Sequence, residues 1–93
     1  MTSRVDLIKD RITQALAPVT LELIDESHAH AGHAGAIESG GGHFSALIVA
    51  DAFNGKRVVQ RHQLVYHALG DLLQTEIHAF SMKVYTPEEF QGK

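Results

Sequence analysis

The chain has 93 residues and a mass of 10.2 kDa, enough for one small domain spanning residues 1–93 and no second one. A composition of 44% hydrophobic and 20% charged residues argues against a disordered tail, and the absence of cysteine excludes a disulfide framework, thiol catalysis and a zinc–thiolate site built by this chain alone. The net charge of −3 disfavours a strongly basic nucleic-acid binder, although protonation of all seven histidines would reverse its sign.

The charged start, Met1 to Asp10, has no apolar h-region, and no apolar run approaches the ~20 residues of a membrane span. The expectation is a cytoplasmic protein with no signal peptide and no membrane partner. Ser3 is placed to cap a first helix, with Asp6 three residues on. Val5, Ile8, Ile12 and Ala15 follow at helical spacing. Pro18 stops that helix and is expected to push Ala17 toward an extended conformation.

Val19 to Ile24 reads as a strand with Val19, Leu21 and Leu23 on one face. Asp25 to Gly42 is an irregular segment with three His and five Gly, longer than an ordinary hairpin loop and so a candidate for function or mobility. His43 to Ala50 reads as a second strand, expected to pair antiparallel with the first. Asn54-Gly55 is the strongest turn signal. Val58 to Leu73 reads as the main helix, with Val58, Val65, Leu69 and Leu72 on one side. Gly70 weakens its last turn, and a break near Lys56–Val59 would split off a short extra helix. Ile77 to Tyr85 is a third strand with His78, Phe80, Met82 and Val84 on one face. Thr86-Pro87-Glu88-Glu89 is a strong helix start, with Thr86 as N-cap, Glu89 reaching back, and Tyr85 and Phe90 at the two positions of a hydrophobic staple. The order α-β-β-α-(α)-β-(α) predicts an α+β domain, a three-stranded sheet with helices on one face.

Three features carry possible chemistry. His28, His30 and His33 lie in His-Ala-His-Ala-Gly-His, and in an extended chain His28 and His30 point the same way, as one metal ion would require. The alternative is a solvated polar loop. His78 stands in phase with an apolar strand face, where a histidine is more often hydrogen-bonded to backbone than bound to metal. Lys56, Arg57, Arg61 and His62 form a basic stretch with no acidic residue between Asp51 and Asp71, suited either to phosphate contact or to a solvated helix face. Gly32-His33-Ala34-Gly35 spells GXXG, but between two strands rather than between the two helices of a KH clamp. Ser39-Gly40-Gly41-Gly42 lacks the ending of a phosphate loop, and no nucleophile elbow occurs, so enzymatic activity is unsupported.

Taken together these pieces resemble the BolA-like family from about Arg4 to Phe90. The resemblance rests on Leu21-Glu22-Leu23-Ile24-Asp25-Glu26-Ser27, His43-Phe44, Phe53-x-Gly55, Arg61-His62-x-Leu64-Val65-Tyr66, Ile77-His78-Ala79 and Thr86-Pro87-x-Glu89-Phe90. It implies a fold like a class II KH domain without the GXXG clamp. It also implies a non-enzymatic adaptor that pairs with a CGFS monothiol glutaredoxin in iron–sulfur trafficking or iron regulation. The pair would share a 2Fe–2S cluster, with the glutaredoxin cysteine and glutathione on one side and two histidines on the other. Carried onto this chain, those histidines are His78 and His30, with His28 and His33 as alternates. Alone, the chain would hold no cofactor and be a monomer or weak homodimer. The family also implies a competing reading, a DNA-binding transcriptional regulator using the helix around Arg57 and Arg61. Departures include Gln63 where another arginine is common, Phe90 in place of a common tryptophan, and the flexible Gly40-Gly41-Gly42.

Overall fold

A computed structural model of the chain describes residues 3–26 and 42–92. Helix α1 (Arg4–Leu16) leads into strand β1 (Thr20–Asp25), and strand β2 (Gly42–Val49) precedes a 3-10 turn at Asp51–Phe53. Helix α2 (Val58–Leu69), the short helix α3 (Leu72–Thr75), strand β3 (Ile77–Tyr85) and helix α4 (Pro87–Gln91) complete the order. The sheet is β1-β2-β3, with β1 antiparallel and β3 parallel to the central strand. This is the α+β architecture expected, with the short extra helix at Asp51–Phe53 rather than at Lys56–Val59.

Side-chain alternation decides which face of the sheet is covered. Phe44, Ala46 and Ile48 of β2 are buried, and Leu21 and Leu23 of β1 and Phe80, Met82 and Val84 of β3 stand beside them in register. Ile8, Ile12 and Leu16 from α1, Val65 and Leu69 from α2, Leu72 and Phe53 close this core. The opposite face carries Glu22, Ile24, Ser45, Leu47, Ser81 and Lys83 around a shallow open groove.

Local signals explain most element ends. Ser3 Oγ accepts from the Asp6 amide at 3.1 Å and starts α1. The third core position of α1 is Leu16 rather than Ala15, which is exposed. Ala17 is not extended: it adopts φ 46° and ψ 56°, a left-handed cap in which its amide still donates to the Thr13 carbonyl. Helix-end geometry wins here over the pre-proline preference, at a cost of roughly 1–2 kcal/mol for a residue with a Cβ.

The main helix departs from expectation at both ends. Gly70, at φ 53° and ψ −126°, breaks it after Leu69, a conformation that suits glycine. Leu72 is buried from α3 instead. Arg11 bridges the break, its Nη1 donating to the Leu69 carbonyl at 3.2 Å and to Asp71 Oδ1 at 3.1 Å. At the other end Val58 is 58% exposed, and the buried row of α2 is Arg61, Val65 and Leu69. Val58, seven residues before Val65, falls on the same side of the helix, so its exposure reflects its place as the first residue of α2 rather than helical phase.

Candidate metal centre

His78 is the second residue of β3, and it lies at the end of the sheet where β1 finishes and β2 begins. Two backbone hydrogen bonds fix that end. The Glu26 amide donates to the His43 carbonyl at 2.7 Å, and the Gly42 amide donates to the Glu76 carbonyl at 3.2 Å. The segment between Glu26 and Gly42 therefore leaves and rejoins the sheet beside His78. His28, His30 and His33 fall on that segment and lie outside the described residues. Both anchors of the loop thus lie at the His78 end of the sheet.

A histidine that sequence reasoning quoted only as part of a family signature also stands here. The parallel register of β2 and β3 slips between Gly42 and His43, Gly42 facing Ile77 and His43 facing Ala79. The His43 and His78 rings lie 5.1 Å apart between centroids, tilted by 46°. His78 is exposed and His43 half-buried. The signal of His43 in the sequence is weak, because its nearness to His78 needs the parallel pairing of β2 with β3. Among the described residues no cluster of three or more His, Asp or Glu side chains is placed to hold a metal ion. Imidazoles without thiolates fit a cluster whose other ligands come from elsewhere, since two imidazoles on one iron are the Rieske arrangement, with a higher potential than all-thiolate ligation.

The basic stretch is divided by the fold. Lys56 and Arg57 are exposed at the start of α2, and His62 is half-buried with its ring edge-on to Tyr66 at 6.4 Å. Arg61 corrects the expectation of a phosphate-facing side chain, being only 8% exposed. Its Nε donates to the Lys56 carbonyl at 2.9 Å and Nη1 to the Val84 carbonyl at 3.3 Å. Nη1 and Nη2 also bind Glu89 Oε1 and Oε2 at 2.7 and 3.1 Å, and the guanidinium lies 6.0 Å from the Phe53 ring centroid. A fork engaged in this way inside the protein has little left for a nucleic acid.

Glu89 completes the lock. It accepts from the Thr86 amide at 3.0 Å while its own amide donates to Thr86 Oγ1 at 3.1 Å, the capping box expected for α4. The Tyr85 and Phe90 rings meet at 6.0 Å, as the staple requires. The Arg61 hydrogen bonds, followed by the Thr86 amide, pull the Glu89 carboxyl down from 4.5 to about 2. A depressed carboxyl gives stability that is complete above its unfolded value and lost as pH falls through its folded one. Melting temperatures of the protein and of Glu89→Gln are therefore expected to differ by a constant amount above about pH 5 and to converge as pH approaches 2. A gap that persists unchanged down to pH 2 would assign the effect to something other than this ion pair.

Comparison with known proteins fits the geometry. A family model described as BolA-like protein matches residues 12–89. The chain is 39% identical over 85 residues to the DNA-binding transcriptional regulator BolA of Escherichia coli, covering 91% of this chain and 77% of that protein. It is 44% identical over 91 residues to the SufE-like protein 1 of Arabidopsis thaliana, covering 94% of this chain and 24% of that protein. Among solved structures, BolA1 from Arabidopsis thaliana superposes with a TM-score of 0.81 at 38% identity, covering 96% of this chain and 97% of that one. The BolA domain of SufE1 from the same plant gives 0.80 at 43%, covering 96% and 98%. The chain belongs to the BolA-like family. It spans about a quarter of the SufE-like relative and 58% of the chloroplastic BOLA1 protein of the same plant. Among the described residues no helix is long and apolar enough to cross a membrane.

Proposed function

We propose that the chain is a cytoplasmic, non-enzymatic adaptor that binds a CGFS monothiol glutaredoxin and shares a 2Fe–2S cluster with it. The observation that carries this reading is the placement of His78 beside both anchors of the histidine-bearing loop. His78 would supply one imidazole and His30 the other, with His28 and His33 as alternates. The thiolates, absent from this chain, would come from the glutaredoxin and from glutathione. Anaerobic reconstitution with such a glutaredoxin and glutathione tests it. A visible circular dichroism spectrum distinct from that of the glutaredoxin homodimer is expected, lost in His78→Ala, with the three single loop variants identifying the second ligand. No complex and no new spectrum would sink the adaptor reading.

The names of several relatives, DNA-binding transcriptional regulator BolA among them, support a second reading. Exposed Lys56 and Arg57 would then carry the phosphate contacts and Arg61 would serve only the fold. Each phosphate contact contributes a slope of about −0.9 to log K against log salt. Lys56→Ala/Arg57→Ala is thus expected to flatten the salt dependence by nearly two units. A slope unchanged in that variant would place any DNA contact elsewhere.

A further inference from the structure

The pairing of His43 with His78 has a chemistry of its own. Two imidazoles on one tetrahedral zinc, each with its nitrogen about 2.0–2.1 Å from the metal, place their ring centroids about 5 Å apart. The observed separation is 5.1 Å, with the two ring planes tilted by 46°. Both side chains rise from paired strands. Gly42 pairs with Ile77, so the parallel pairing carries His43 in alongside His78 before the slip sets it opposite Ala79.

We propose that His43 and His78 form a two-imidazole chelate that binds one borderline divalent ion, for which zinc is the probe, without a partner protein. Imidazole suits zinc, copper and nickel, whereas calcium and magnesium need oxygen ligands. With two protein donors, the remaining positions on the ion stay open to water or to exogenous thiolates. The site uses His78, as the cluster reading does, but needs neither glutaredoxin nor the loop histidines, so either reading can fail alone.

The test is a titration of the full, tag-free chain with zinc, followed by calorimetry and by the imidazole resonances in NMR. The expected result is one equivalent bound, with the His43 and His78 ring signals perturbed together. His43→Ala and His78→Ala are each expected to weaken binding at least ~10-fold, because a second tethered donor acts at high effective concentration. The combined His28→Ala/His30→Ala/His33→Ala variant is expected to stay within about threefold of the parent. Far-ultraviolet dichroism of each variant checks that the sheet is intact. Binding unaffected by His43→Ala, or abolished in the loop variant, would overturn the proposal. Zinc binding as described, with no cluster formed on addition of glutaredoxin, would uphold this site and reject the adaptor reading.

Discussion

Arg61→Ala is expected to destabilise the domain by about 2–4 kcal/mol, the scale of a disrupted buried hydrogen-bond network. The guanidinium joins three elements that have little else in common. It holds the Lys56 carbonyl ahead of α2, the Val84 carbonyl near the end of β3 and the Glu89 carboxylate of α4. Removing it strands the buried Val84 carbonyl acceptor and opens space beside the fully buried Phe53. For a domain of this size each kcal/mol corresponds to roughly 4–8 °C, so a fall in Tm of more than about 10 °C is expected. Arg61→Lys keeps the charge but not the fork and is expected to recover less than half of the loss. A change of under ~2 °C in Arg61→Ala would show that the network contributes no net stability.

Phe44→Ala is expected to cost about 3–5 kcal/mol, the range for truncating a buried aromatic side chain. Phe44 is 1% exposed on the central strand, paired with Asp25 on one side and Phe80 on the other. A three-stranded sheet has no second layer of strands to collapse into the cavity. Native domains are typically stable by about 5–15 kcal/mol, so in a small one such a loss takes up a large share of the total. Urea denaturation followed by circular dichroism measures it. Phe44 also adjoins His43, so the variant is expected to broaden the His43 and His78 ring signals even where the domain stays folded. A loss below ~1 kcal/mol would mean that the core relaxes around this position.

The parts of the fold that were legible beforehand are those whose signals are short in sequence. Thr86-Pro87-Glu88-Glu89 with its Tyr85/Phe90 staple carries its whole cap within six positions, and strand β3 was bounded to the residue by the helix start that follows it. Arg61 was misread because an arginine beside Lys56 and Arg57 looks like a surface cation. Its partner Glu89 is 28 residues away and is brought near only by the crossover to β3. Helical phase puts both Val58 and Arg61 on the side of Val65, and only tertiary packing decides that Arg61 is the one buried. His78 stands out by its phase with an apolar strand face, and its ligand role comes from the family resemblance. His43 is not legible as its neighbour, because their proximity depends on the parallel pairing of β2 with β3, which no local pattern announces. Of the candidate ligands, the strand histidine is described here, and the three loop histidines lie outside the described residues.

The parallel pairing of β2 with β3 has a kinetic consequence. β1 meets β2 across a single connection, but β3 reaches β2 only after Asp51–Phe53, α2 and α3 have been threaded between them. Contacts so distant in sequence carry a loop-closure cost before they return any stabilisation, and such topologies form slowly. His43 and His78 become neighbours only when this long-range pairing forms. An ion held by both rings distinguishes the finished sheet from every partly built form and stabilises it by mass action. The edge of this small sheet would then register its own completion, and a chain caught before closure would offer a metal or a partner one imidazole from the strands instead of two.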